Sequence, residues 1–193
     1  ADDVINASES NSTITLSGTA SGGDIAQGDT VTFTIGDTTL TTEVDENGEY
    51  SLEVDGSLLA NETSVGVSVE SSDALGNSVA SETSAEYRVD TGIRAGEDGE
   101  DPITASVSGG DTTNDTTPTI TGNTEPGATI SITNENGEVV GSGIADENGE
   151  YSITLNELPE GDNPLTVTAK DAAGNEASTT TEVTIDTTAE AGE

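Results

Sequence analysis

Every strong ligand group in this chain is an oxygen. Acidic side chains number 39 against three basic ones, Arg88, Arg94 and Lys170, and Cys, His, Met and Trp are absent. Without thiol or imidazole there is no Cys or His nucleophile, no zinc site of the N/S kind and no Cys, His or Met ligand for haem. Hard oxygen donors suit calcium before other metals. Carboxylate pairs could also act as the acid and base of a glycosidase. A net charge of -36 removes the electrostatic route to nucleic acid and to anionic membranes, since both need Lys and Arg. Self-repulsion on that scale opposes compaction, and bound cations are the expected remedy.

The first stretch that suggests a metal is "DENGEYSLEV" (Asp45 to Val54), repeated as "DENGEYSITL" (Asp146 to Leu155). Asp-x-Asn-Gly resembles the opening of a calcium loop, but an EF-hand loop continues for 12 positions to a bidentate Glu. Here the chain alternates apolar and polar residues directly after the Gly. Asn-Gly between two alternating runs is a hairpin signal, because both residues tolerate positive φ. "NENGEV" (Asn134 to Val139) is a third example. The stretch reads as a turn.

The elements that carry these turns occur twice. "SDALGN" (Ser72 to Asn77) matches "KDAAGN" (Lys170 to Asn175), "GDTVTFTI" (from Gly28) matches "GATISIT" (from Gly127), and "TLSGTA" (from Thr15) matches "TITGNT" (from Thr119). "VDTGIRAGE" (Val89 to Glu97) and "IDTTAEAGE" (Ile185 to Glu193) share Asp-Thr and Ala-Gly-Glu at one offset. A period near 100 residues means whole domains in tandem, too long for a solenoid repeat. We expect a first domain over 1–91, an acidic linker over 92–101 and a second domain over 102–193, with the chain stopping inside a further linker of a longer array. Tyr50, Leu52 and Val54 alternate with Glu49, Ser51 and Glu53, the period of a half-buried strand. Counting such runs gives about seven strands per unit and no helix: all-β, two tandem immunoglobulin-like sandwiches end to end. With one Phe and three Tyr in the chain, the cores must be aliphatic and modest.

Together these residues resemble the immunoglobulin-like extender repeats of giant calcium-binding bacterial adhesins of the RTX and Bap type. "DDVINASE", "VDENGEYS" and "SDALGN" look like one repeat type, and "NDTTPTITGNTEPGATISI", "ADENGEYSITL", "KDAAGN" and "IDTTA" like a second. The resemblance implies a spacer in a secreted cell-surface protein exported by a one-step, type I system. It also implies calcium ions stiffening the domain junctions, and service in biofilm formation or attachment. Its partners would be neighbouring repeats of the same chain, with no nucleic acid, no membrane insertion and a monomeric state. The linker "TGIRAGEDGED" departs from the commoner Asp-Thr-Thr-Ala-Pro form of that family.

In a seven-strand sandwich the loops fall at two poles. Glu9, the loop near Leu58 and the exit at Asp90 belong to the far pole of unit one; Asn123, Asp146 and Asp171 belong to the near pole of unit two. Between them run Glu97, Asp98, Glu100 and Asp101, and calcium takes six to eight oxygens. The candidate ligands are Glu9, Asp73, Asp90, Glu97, Asp98, Asp101, Asp171 and Asp186. For Asp73 and Asp171 a turn in which the side chain bonds its own backbone is the competing reading. An alternative function is a module that binds a glycan, a protein or ice, although no Trp platform is present for a sugar. Catalysis is not expected, since two thin sandwiches leave little room for a cleft.

Overall fold

Alternating β-branched and polar residues build strands along both halves of the chain. The computed structural model describes residues 3–94 and 103–189, and the chain divides into two compact units, residues 1–91 and 92–193. Unit one contains β1 (Val4–Ile5), β2 (Thr13–Thr19), β3 (Thr30–Ile35), β4 (Thr38–Glu43), β5 (Glu49–Asp55), β6 (Ser64–Ser72), β7 (Ser78–Glu86) and β8 (Arg88–Val89). One sheet has the order β4-β3-β6-β7, β2 pairs with β5, and β1 runs parallel to β8. Unit two contains β9 (Ser106–Val107), β10 (Thr112–Thr113), β11 (Thr119–Asn123), β12 (Thr129–Asn134), β13 (Val139–Ile144), β14 (Glu150–Thr154), β15 (Gly161–Lys170) and β16 (Glu176–Ile185). Its sheets are β10-β16-β15-β12-β13 and β14-β11-β9. Both are immunoglobulin-like all-β sandwiches.

Among the described residues each unit shows eight strands where alternation alone gave about seven. Two in each unit, β1 and β8 and then β9 and β10, are two residues long, too short to display a period. One helical turn, α1 (Gly56–Leu59), was also not foreseen. Asp55 caps it, its Oδ1 accepting from the Ser57 N–H at 2.9 Å.

The cores follow the alternation. Val31, Phe33 and Ile35 of β3 are buried, and the Phe33 ring meets Tyr50 edge-on at 5.8 Å. In unit two, Ile130 and Ile132 of β12 face Val167 and Ala169 of β15, all fully enclosed. Ile93, in the segment read as linker, is buried in this second core, as are Ile103 and Val107. The second domain therefore takes in residues ahead of the boundary at 102.

Loops gather as sandwich connectivity requires. In unit two, residues 124–128, 145–149 and 171–175 share one pole. There the Thr124 N–H donates to the Gly149 carbonyl at 2.9 Å, and the Gly127 N–H to the Ala145 carbonyl at 3.2 Å. The Arg94 N–H donates to a Glu125 carboxylate oxygen at 3.1 Å, so the chain enters unit two at that pole.

Beside this entrance the Tyr151 hydroxyl donates to the Thr104 carbonyl across Gly122, and burial pushes its pKa up to about 12. A Cβ at Gly122 would collide with both partners, whereas one at Gly66 stays 3.6 Å from the nearest Thr34 atom. We expect Gly122→Ala to cost about 1–3 kcal/mol of unit-two stability by overpacking, and Gly66→Ala to cost little. Urea unfolding of the two variants checks this; equal midpoints would refute the tyrosine clamp.

Candidate metal centre

The chain must hold many carboxylates with almost no cationic side chains, and its first device is a turn that recurs five times among the described residues, four times on an Asp and once on Asn134. At Asp45, Asp73, Asn134, Asp146 and Asp171 the residue's own N–H donates to the carbonyl four positions on, at 2.8–3.1 Å. Its side-chain Oδ1 accepts from the N–H of that same fourth residue, at 2.8–3.0 Å. The position before it is Gly48, Gly76, Gly137, Gly149 or Gly174, each with φ between 77° and 91°. Of the two residues that tolerate positive φ, only the Gly takes it: Asn47, Asn136 and Asn148 do not. The turn is thus a three-residue loop closed by a left-handed glycine, stabilised by the backbone bonds of its Asp or Asn side chain. At Asp73, Asn134 and Asp171 it joins paired strands as a hairpin, but at Asp45 and Asp146 it carries the chain from one sheet to the other, from β4 to β5 and from β13 to β14, which corrects the hairpin reading of "DENGEY".

These bonds favour the ionised carboxylate. The Glu49 and Asn47 N–H groups hold the Asp45 pKa below its usual value, and the Glu150 and Asn148 N–H groups do the same for Asp146. For Asp73 the Asn77 side chain is the main cause, followed by its backbone N–H.

The other candidate ligands fall as follows. Glu9 lies in a 3-10 turn at Glu9–Asn11, and its Oε2 accepts from the Asn6 N–H at 3.1 Å. Asp90 follows β8, its N–H donating to the Ile5 carbonyl at 3.0 Å. Asp186 follows β16, its N–H donating to the Thr113 carbonyl at 2.9 Å and its Oδ1 accepting from Thr188. Glu97, Asp98 and Asp101 lie outside the described residues. Asp73 sits in its turn at the pole of unit one opposite Asp90.

Asp171 differs from Asp73 in burial. It is 8% exposed, with Oδ1 and Oδ2 accepting from the backbone and side-chain nitrogens of Asn175 at 2.8 Å. Its neighbour was missed by sequence reasoning: Glu125 brings a carboxylate oxygen within 4.8 Å of one from Asp171. The signal available was the loop "TEPGA", which alternation places at the same pole as "KDAAGN". The one cation close in sequence, Lys170, is engaged with Glu176 at 2.9 Å. Two carboxylates this close, one of them buried, repel each other unless a cation or a proton joins them. An all-oxygen donor set of this kind fits calcium.

Comparison with known proteins agrees with this architecture. Residues 106–186 match the bacterial Ig domain family. All of the chain aligns, at 38% identity and a TM-score of 0.66, with 48% of the solved structure of a Ca2+-stabilized adhesin that helps an Antarctic bacterium reach out and bind ice. A 1.5-MDa bacterial ice-binding adhesin, solved for its host cell surface retention, aligns at 35% identity and a TM-score of 0.63, over 96% of this chain and 60% of that one. A bacterial immunoglobulin-like domain from the M. primoryensis ice-binding adhesin is 56% identical over 46% of this chain and 87% of its own, with a TM-score of 0.45. The chain spans about half the length of the first of these relatives. No curated protein sequence matches it.

The turn carboxylates predict a pH effect. Because the folded pKa of Asp146 is depressed, its contribution is present above the ordinary carboxylate value and is lost as pH falls through the folded pKa. Asp146→Ala should lower the melting temperature at pH 7, with the deficit shrinking toward pH 2.5, while Asp146→Asn, which keeps an acceptor, should lose less at pH 7. Thermal melts across that range decide it; a deficit independent of pH would exclude the charged cap.

Proposed function

Because the chain belongs to the bacterial immunoglobulin-like domain family, we propose that it is a structural spacer of a secreted bacterial surface adhesin. On this proposal tandem sandwiches, stiffened by calcium where units join, carry a binding domain away from the cell for attachment or biofilm formation. The polypeptide acts outside the cell, after type I export, as a monomer whose partners are neighbouring repeats. Spacing requires no reactive side chain, in keeping with a chain that lacks Cys and His.

The observation that carries the proposal is the approach of Glu125 to Asp171 at the pole where the chain enters unit two. Calcium bound there would neutralise both carboxylates and tie the 124–128 loop to the 171–175 loop. Further ligands are proposed on sequence grounds. Asp90 precedes the buried Ile93 by three residues, at most about 11 Å of chain. Glu97, Asp98 and Asp101 follow shortly after, and Glu9 and Asp186 are the remaining candidates. Any ion held jointly by entering chain and loop pole restricts the hinge, and this is the physical meaning of stiffening.

Support comes also from the relative described as Ca2+-stabilized. A ligand that binds only the folded state stabilises it by mass action, about 2.7 kcal/mol at a hundred times its Kd. For a domain of this size that corresponds to a rise of about 10 °C or more. We therefore expect millimolar calcium to raise the melting temperature by that order over excess chelator, and overlapping melts would remove the metal from the account. Calorimetric titration supplies the residue test. Glu125→Gln and Asp90→Ala should weaken calcium binding, while Asp45→Ala, which alters a turn alone, should not; equal losses would overturn the ligand assignment. Small-angle scattering should give a calcium-loaded radius of gyration well above the roughly 16 Å of a globule of this chain length, and a value near 16 Å would defeat the spacer reading.

A further inference from the structure

Three turns of this chain carry one tetrapeptide. Glu-Asn-Gly-Glu occurs at 46–49, at 135–138 and at 147–150. Asn-Gly is the dipeptide in which a side-chain amide is lost most readily, because glycine has no side chain to hinder ring closure onto its neighbour. All three Asn are exposed, so water reaches each of them. Identical flanking residues make the three sites chemically equivalent in an unfolded chain. Any difference between them is made by the fold.

Ring closure has one geometric demand. The Gly nitrogen must swing onto the Asn side chain, and in all three turns it is held elsewhere. The N–H groups of Gly48, Gly137 and Gly149 donate to the carbonyls of Asp45, Asn134 and Asp146 at 3.2, 3.0 and 3.0 Å. The N–H groups of Asn47, Asn136 and Asn148 donate to side-chain oxygens of the same three residues at 2.8, 3.0 and 2.9 Å. The turn has to open before the amide can react, so the rate follows the free energy of that opening.

Three features make opening easiest at Asn136. The first is the cap. Asp45 and Asp146 hold their turns with ionised oxygens, which make the stronger kind of hydrogen bond, whereas Asn134 offers a neutral amide oxygen. The second is a clamp on the glycine. The Gly48 carbonyl accepts from the Ala20 N–H at 2.8 Å and the Gly149 carbonyl from the Thr124 N–H at 2.9 Å. A Cβ at either glycine would press on the carbonyl of that same neighbour, whereas among the described residues nothing lies within 4 Å of the Cβ position at Gly137. The third is placement. Asn47 and Asn148 sit where the chain crosses between sheets, so opening there pulls on both layers. Asn136 sits at the tip of a hairpin beside a register shift at Ile132/Thr133, and the second strand of that hairpin, β13, is an edge of its sheet among the described residues.

We propose that Asn136 is a site of spontaneous deamidation in the folded protein, and that the turns at Asn47 and Asn148 protect the same dipeptide. The Gly137 nitrogen, its proton passed to hydroxide, attacks Asn136 Cγ. A C–N bond forms, the bond from Cγ to the side-chain nitrogen breaks, and that nitrogen takes a proton from water and leaves as ammonia. Water then opens the succinimide ring at either carbonyl, giving aspartate or isoaspartate. Nothing is oxidised or reduced. The product places a new carboxylate between Glu135 and Glu138 in a chain already at -36, and the isoaspartate form lengthens the hairpin loop by one backbone carbon. This chemistry depends on neither calcium nor a spacer role.

The test incubates the full chain at mildly alkaline pH in excess chelator, which keeps any metal at the 171–175 loop out of the comparison. Peptide mapping by mass spectrometry counts aspartate and isoaspartate at each site. In urea the three Asn should convert at closely similar rates. In native buffer Asn136 should convert at least about tenfold faster than Asn47 or Asn148. Amide hydrogen exchange in the native chain should order the glycines in the same way, Gly137 ahead of Gly48 and Gly149. Equal native rates at the three Asn, or a slower Asn136, overturn the proposal. So does a Gly137 amide as protected as the other two, since the selectivity then has a source other than turn opening.

Discussion

Repulsion among carboxylates is the constraint to which the rest of the molecule answers. With a net charge of -36, ion pairs cannot balance the surface, and among the described residues the single salt bridge joins Lys170 to Glu176, both 56% exposed. A pair so exposed contributes little. The counter-charge has to come from elsewhere, and the largest supply within the chain is the backbone N–H. Asp45, Asp73, Asp146 and Asp171 each take backbone donors in a glycine-closed turn, Asp55 takes one at the start of α1, and Asp29 takes the Ala26 N–H at 2.8 Å. Turn chemistry and charge balance are the same interaction in this protein.

That device has a limit, because a backbone N–H is a partial charge and serves one neighbour. It suits an isolated Asp on a solvated turn, where water screens what remains. It does not suit the pole of unit two, where Asp171 is buried and Glu125 approaches it. Asn175 already donates both of its nitrogens to Asp171, and Glu125 receives the Arg94 N–H, yet each of these donors is neutral. A carboxylate oxygen has two lone pairs, so these bonds orient the acids without saturating them. The place where backbone donors suffice least is the place where a cation has most to offer.

Strands and turns were legible in the sequence because period-two alternation and Asp-x-x-Gly spacing are local signals. Tyr50/Leu52/Val54 and Ile130/Ile132 announced their faces, and the glycines announced theirs. What escaped was settled by contacts far apart in sequence. β9 and β10 are too short for a period, and Ile93 looked like linker because its neighbours are Gly, Arg and acids. Its burial depends on a core built from Ile103 to Ile185, far along the chain. Glu125 stood in a loop with nothing to distinguish it until the fold set that loop beside 171–175.

Repetition of sequence does not imply repetition of chemistry, and the two units show why. Gly28 aligns with Gly127, which puts Ala26 where unit two has Glu125. In unit one the nearby acid, Asp29, folds back on the Ala26 N–H and closes its own loop. In unit two the same loop sends its acid outward to the entering chain. Asp73 and Asp171 occupy equivalent turns with equivalent Asn partners, yet the first is half-buried and the second is buried with Glu125 beside it. The turn is therefore a property of the repeat, and the carboxylate pair is a property of one copy. A single substitution in a surface loop, neutral for the fold, is enough to separate a turn that stabilises itself from a pole that needs a cation.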